Sequence, residues 1–321
     1  MFKKTLAAVA VGMVVLGAQA AEFTAADGTA FQVNLEAGAE VLNTKAAVGS
    51  STTFNGAGQI QLKATKKVND DLNVFGQVEV DFDSVVDNAA ALSDDTKIGL
   101  SSKTFGSIQF GQYDSYMEDN IAEALGYFNP ANADIKVSEA PIGGRGRQAQ
   151  YMGKFGDFTG VVSVSSSNSG SATGEQSLGS SFVLGYQSGR LRAYIGTNTQ
   201  PLYVSDTFAA GTVKSNLGAS IYYTFGSTTL SALSLNTTST ADLITSYTGI
   251  AAYHVMGDFD MAASFQVRMV NAATSSTTTN QYTLHGGYTV TKGTKFYVGL
   301  LGMGAANGVG DLIAAGFTTA F

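Results

Sequence analysis

Apolar and polar residues alternate along this chain with a period of two, and the runs are long. From Phe31, the apolar positions Phe31, Val33, Leu35, Ala37, Ala39 and Val41 interleave with Gln32, Asn34, Glu36, Gly38 and Glu40. The same alternation recurs over residues 72–82. It recurs again where Met261, Ala263, Phe265, Val267 and Met269 alternate with Ala262, Ser264, Gln266 and Arg268. A two-residue period places one set on each face of a strand. Each run is about 10 residues, the length a tilted strand needs to cross a bilayer and longer than the roughly 5–6 usual in globular sheets. Beyond the N-terminal segment, no stretch of comparable length carries a helical period.

Turn chemistry divides the chain into strands. Tight connections are expected at residues 69–71, 103–106, 156–157, 188–189, 226–227, 257–258 and 291–293, all built from residues that tolerate turn geometry. Longer Ser, Thr, Asn and Ala-rich segments fall near 43–56, 84–95, 115–144, 168–177, 200–213, 236–244, 271–280 and 304–308. Alternating short and long connections suit an up-and-down barrel with one turn-lined end and one loop-lined end. Seven turns and eight loops join sixteen strands, so the predicted fold is all-β, a 16-stranded antiparallel transmembrane β-barrel. Pro130, Pro141 and Pro201 all fall in the proposed loops, where no ladder bond is lost. A barrel of this size encloses water.

Composition agrees and narrows the function. Only 13% of residues are charged, about half the usual quarter, as expected where one face of every strand meets lipid. Cysteine is absent, which excludes disulfides and Cys-ligated metal sites. Lys3 and Lys4 precede an apolar stretch over 6–16 and an Ala18-Gln19-Ala20 cleavage pattern, so residues 1–20 are expected to be a signal peptide and 21–321 the barrel. Without that peptide the chain carries nine more acidic than basic residues. Nucleic acid is therefore not an expected partner. Tyr223, Phe225, Tyr253, Tyr282, Tyr288 and Phe296 lie at or near strand ends, as an interfacial aromatic girdle requires.

Several segments carry a family resemblance. Residues 75–82 (FGQVEVDF) resemble the third strand of the Gram-negative general diffusion porins. Residues 96–100 (TKIGL) and 105–111 (FGSIQFG) resemble the fourth and fifth, and the chain ends on Phe321, as such barrels commonly do. Residue-level similarity covers about 57–165; architecture is similar over the whole mature chain. The resemblance implies a homotrimer in the outer membrane of a Gram-negative bacterium, surrounded by lipid, passing small hydrophilic solutes and ions, with no cofactor and no catalysis. It also implies that the third loop, about 113–144, folds into the barrel and narrows the pore.

In that family, acids on the loop face basic groups on the wall. The corresponding acidic candidates are Glu118, Asp119, Glu123, Asp134 and Glu139, with Glu123 nearest the loop-tip acids by spacing and Asp134 second. On the basic side, Lys97 matches an inward basic position, and Arg145 and Arg147 share the start of strand six, where an inward arginine is frequent; either fits. By alternation alone, Lys63, Arg190, Arg192 and Arg268 point inward, and so do Glu36, Glu40, Glu79 and Asp81. A strand-two position that is often arginine in the family is Gln59 here, and the usual acidic, Gly-rich loop tip is missing. The expected pore is mildly cation-preferring.

Two other readings stand beside the channel: an outer-membrane barrel enzyme and a non-conducting structural or adhesive barrel. The enzyme would use His254 or His285, both assigned inward positions by alternation, but no nucleophile or carboxylate stands at a supporting spacing. Inward positions are expected to be mostly small and polar, which disfavours a sugar slide.

Overall fold

The computed structural model describes residues 21–45, 50–83, 92–125, 146–167, 177–199, 213–239, 243–271, 276–303 and 312–320. The expected signal peptide over 1–20, the three prolines, Phe321, and the candidates Asp134, Glu139 and Arg145 lie outside the described residues. No helix among the described residues is long and apolar enough to cross a membrane; strands do the crossing.

A short strand β1 (Ala21–Thr24) precedes sixteen longer ones: β2 (Thr29–Lys45), β3 (Ser50–Lys67), β4 (Leu72–Asp83), β5 (Leu92–Ser102), β6 (Gly106–Tyr113), β7 (Gly146–Phe155), β8 (Phe158–Ser167) and β9 (Ser177–Ser188). The second half comprises β10 (Leu191–Thr199), β11 (Val213–Phe225), β12 (Thr228–Ser239), β13 (Ile244–Met256), β14 (Phe259–Asn271), β15 (Ser276–Thr291), β16 (Thr294–Met303) and β17 (Leu312–Ala320). Each pairs antiparallel with its neighbour in sequence. β17 then pairs with β2, from Leu312 opposite Thr44 to Ala320 opposite Glu36, and the barrel closes at sixteen staves. β1 completes the last stave: it pairs with residues 30–33 of β2, in line with the end of β17. In lipid an open edge would leave backbone groups without partners, so closure is obligatory.

The seven expected tight turns all occur between the strands they were assigned to. Gly106, Gly156, Gly189, Gly226, Gly257 and Gly293 take positive φ there, a conformation that glycine adopts without a Cβ penalty. At the N-terminal turn, an ion pair between Lys66 Nζ and Asp27 (2.8 Å) ties β3 to the turn after β1.

The pairing fixes which face each residue takes. Phe31, Leu35, Ile60, Ile98, Phe110, Val162, Ile221, Ile250, Phe265, Val298 and Phe317 lie on the outer face. Ile98, Ile250 and Val298 are more than half exposed to the surroundings. Rings pair across the turn-lined end of that face: Phe158 with Tyr186, Phe259 with Tyr288, and Phe296 with Phe317, at centroid separations of 5.0, 4.7 and 6.0 Å. This is the expected girdle, with one correction. Tyr253 pairs with Ala262 and Thr229 and so belongs to the inner face, while its neighbour His254 takes the outer one. The alternation misleads on β13 because its inner face is itself apolar: Tyr247 and Ala251 pack in the interior cluster.

The remaining core therefore lies inside the barrel, against one wall. Where β17 closes on β2, the inner face is tightly fitted: a Cβ on Gly316 would stand 2.4 Å from the Ala39 carbonyl oxygen and 2.5 Å from Tyr297 Oη. Tyr297 Oη donates across that gap to Glu40 Oε2 at 3.1 Å, linking β16 to β2 over β17. Gly316→Val should destabilise the closure by roughly 1–3 kcal/mol, the usual range for overpacking. The check is the temperature at which the folded band on an unheated gel converts to the unfolded one. An unchanged temperature would show that the seam carries no such constraint.

Candidate functional site: a loop packed inside the barrel

β6 ends at Tyr113, and the chain then turns into the lumen. Ser115 caps the short helix α1 (Tyr116–Asn120), its hydroxyl accepting from Glu118 N, and a 3-10 turn follows over Ala122–Leu125. Met117, Ile121 and Leu125, spaced by four, share one face of this segment and are fully buried. They enter a socket formed by Val161, Val183, Leu233 and Leu235. Its floor is glycine: added Cβ atoms on Gly218 and Gly249 would meet Ile121 Cγ2 at 2.8 Å and Leu125 Cδ1 at 2.4 Å. Burying each such side chain contributes about 1.5–3 kcal/mol.

Hydrogen bonds hold the loop backbone to the same wall. Ser220 Oγ and Tyr222 Oη both donate to the Asn120 carbonyl, and Ser231 Oγ donates to that of Ala124. At the start of the loop, Gln148 Nε2 on β7 donates to the Tyr113 carbonyl at 2.6 Å. The first half of the loop is thus pinned at both ends and runs along the inner wall from β6, past β8–β10, to β11–β13.

Its other face is acidic. Asp119 and Glu123 are exposed to the lumen, whereas Glu118 is half-buried, with Oε2 enclosed by protein. Asp119 is reachable by water yet enclosed by protein, and that confinement pushes its carboxyl up to about 7; Glu123, Asp114 and Asp95 repel its charge further, and Lys97 opposes them. Lys97 lies on the inner face of β5, its ammonium 3.0 Å from Asp95 Oδ2 and 5.4 Å from the Tyr113 ring centre. Its charge is therefore largely answered by Asp95. Burial likewise pushes the Tyr116 phenol on α1 up to about 12.

The other candidates separate into groups. Lys63 is on the inner face of β3, level with Lys97 across Gln77, and makes no ion pair among the described residues. Glu79 accepts from Gln59 and Gln61, so the glutamine at the expected arginine position serves as a neutral partner for a lumen carboxylate. Glu36 is inward and exposed; Glu40 is inward and buried against Tyr297. The backbone of Asp81 pairs with Gln59, and its side chain lies outside the description. Arg192 is inward and stacks over Tyr222 at 4.7 Å, and Arg268 is inward, 5.9 Å from Tyr247.

Two arginines are corrected. Arg190 is in the tight turn between β9 and β10 and not on a strand. Arg147 pairs with Gln112 and Ser166 on the outer face, while the adjacent Gln148 points inward. An outward charge is tolerable there because Arg147 stands at the loop-lined end of β7, where the cost falls to about 0–1 kcal/mol. His254 is also corrected to the outer face, as above. His285 is inward, with Nε2 3.0 Å from Asp260 Oδ2, which also accepts from Lys295 Nζ at 2.8 Å.

Sequence reasoning missed Asp95, Asp114 and the inward tyrosines Tyr194, Tyr222 and Tyr247. The inner wall under the loop is aromatic and aliphatic, not small and polar. The 117, 121, 125 spacing was the available signal for an anchored helical turn.

A family model described as Gram-negative porin matches residues 6–303. No curated protein matches the chain in sequence. Among solved structures, Salmonella typhi OmpF, in complex with daunomycin, superposes with a TM-score of 0.75 at 15% identity, covering 94% of this chain and all of that one. An anion-selective porin from Comamonas acidovorans gives 0.72 at 16% identity, covering 91% and 100%. OmpT of Vibrio cholerae, in its trimer form, gives 0.66 at 14% identity, covering 91% and 99%.

Replacing Ile121 by Ser empties the glycine-floored socket and should release the loop. The expected result is faster proteolytic nicking between residues 116 and 125, at a cost of about 2–5 kcal/mol of local packing. Unchanged protection would mean that the hydrogen bonds to Asn120 and Ala124 suffice.

Proposed function

Since this chain belongs to the Gram-negative porins, we propose that its outer-membrane barrel passes small hydrophilic solutes and ions with a mild preference for cations. The channel class and the outer-membrane location follow from family and fold. The sign of selectivity does not, because a barrel of the same fold is anion-selective. The supporting observation is the face of the loop: Asp119 and Glu123 are exposed in the lumen, and the nearby Lys97 is already paired with Asp95. Opposed charges in a water-filled constriction orient polar solutes and concentrate the counter-ion without any chemical step.

The preference is modest because basic groups remain. Lys63, Arg192 and Arg268 face the same lumen, and Arg145, Asp134 and Glu139 are proposed to complete the ring from beyond the described residues. Arg147 and Arg190 are not included, given their outer-face and turn positions. Each exposed group acts through water with a screening length of about 8–10 Å. A homotrimer is the proposed assembly, supported by the family and by the trimer form of a structural relative; crosslinking of the detergent-extracted protein should give a species of three chains, and monomers alone would contradict it.

Reversal potentials in a salt gradient test the selectivity. Glu123→Gln should move the permeability ratio toward anions and Lys97→Gln toward cations. Each change should be within a factor of about 2–3 near 0.1 M salt and smaller at 1 M. An anion preference in the unaltered protein would overturn the reading.

The pH dependence has a definite sign. A carboxyl raised to about 7 is neutral in acid and ionised in base, so Asp119 adds negative charge to the pore as pH rises from about 6 to 8. Cation preference should rise over that interval, and Asp119→Asn should flatten the profile. A profile unaffected by that substitution would assign the titration elsewhere.

A further inference from the structure

Charge is unevenly spread along the axis of the pore. At the seven tight turns and the N-terminal one, and within two residues of them, stand eight basic and six acidic residues. Elsewhere among the described residues there are six basic and twelve acidic ones. The turn-lined mouth, which faces the periplasm, therefore carries a small positive excess, and the rest of the barrel a clear negative one. Three lysines of that mouth are answered: Lys66 by Asp27, Lys67 by Asp70 and Lys295 by Asp260. Lys154 and Arg192 form no ion pair among the described residues.

Both of these point into the lumen. Lys154 lies on the inner face of β7, in step with Gln148, Gln150 and Met152, and is exposed. Arg192 lies on the inner face of β10, its guanidinium 4.7 Å from the centre of the Tyr222 ring. Tyr222 in turn donates to the Asn120 carbonyl of the loop. That stack holds Arg192 on the turn side of the loop, because Ile121 packs at Gly196, four residues further along β10. Four residues of strand span about 13 Å. The acidic level begins there: Asp119 and Glu123 are on the loop itself, and Asp95 and Glu79 each stand seven residues from the turn-lined end of their strand. About 13 Å exceeds the screening length of about 10 Å at 0.1 M salt, so each level gathers its own counter-ions.

We propose that Lys154 and Arg192 are selectivity-determining residues of a second, cationic level of the pore, in series with the acidic loop, and that the two levels together make the channel rectify. Fixed charge lining a water-filled passage raises the local concentration of the opposite ion. With the loop-lined side positive, cations enter through the acidic level and anions through the basic one. Both move into the stretch between, which fills with carriers. The opposite polarity draws each ion away from the level that attracts it and depletes the same stretch. Current is therefore larger when the loop-lined side is positive. The inference rests on the acidic loop face assigned above, which reversal potentials test separately.

The test is the single-channel current–voltage curve in symmetric salt. Orientation is read from Ser227→Cys in an exposed turn, since the chain has no cysteine of its own: once biotinylated, only channels whose turns face a chamber are blocked by streptavidin added there. Currents at the two polarities of about 100 mV should differ about 1.5-fold at 0.1 M salt and become equal at 1 M, where the screening length falls to about 3 Å. Lys154→Gln combined with Arg192→Gln should make them equal at 0.1 M as well, while Arg192→Lys, which keeps the charge, should preserve the difference. Lys66→Gln, on the outer face and paired with Asp27, should also preserve it. Conductance at 1 M identifies variants whose barrel is unaltered. Equal currents at 0.1 M in the unaltered protein, a larger current with the turn-lined side positive, or a difference unmoved by the double substitution would each overturn the proposal. Rectification in the stated sense by a channel that prefers anions would support it and contradict only the cation preference.

Discussion

Every backbone N–H and C=O that crosses the bilayer must find its partner within the protein, because lipid offers none. In this chain the requirement is met by one step of closure, the pairing of β17 with β2 from Leu312 to Ala320. Everything else follows from it. Closure gives the sheet an inside and an outside, so the two-residue period of each strand becomes a division between water and lipid. It also fixes the seam chemistry: Gly316 leaves room for Tyr297 to reach Glu40 across the closing strand.

Inside, the barrel uses the wall against itself. On one side the strands present Gly196, Gly218 and Gly249 together with aliphatic and aromatic residues, and a loop helix fills that space with Ile121 and Leu125. On the other side the wall is polar, with Glu79 held by Gln59 and Gln61 and Lys97 held by Asp95. The loop's apolar stripe and acidic stripe are the two faces of one short segment, a helix and the 3-10 turn that follows it. Packing one against the glycines necessarily aims the other at the open water, so anchoring and charge placement are one arrangement.

The sequence made the barrel legible because a lipid-facing strand has to alternate and a tight turn has to use turn residues. The seven turns and the closed count of sixteen rest on those two constraints, and both hold. Legibility failed where the inner face is not water-facing. On β13, Tyr247 and Ala251 pack under the loop, so polarity no longer distinguishes the faces, and His254 and Tyr253 were exchanged. Arg147 failed for a different reason: at the end of a strand the cost of facing outward vanishes, and alternation loses its authority there. Arg190 failed because the turn begins one residue later than assigned. Ion pairing was illegible altogether; nothing in the order of residues reveals that Asp95 answers Lys97, although positions two apart on a strand share a face.

The central claim is that the closed wall surrounds water and that the loop narrows this passage without sealing it. Planar-bilayer recording of the purified barrel tests it most directly. The account predicts discrete steps of current, linear in voltage at low field, whose size grows in proportion to the conductivity of the bathing salt. Insertion of folded barrels without any such steps would contradict it, for it would mean a plugged lumen and a structural role.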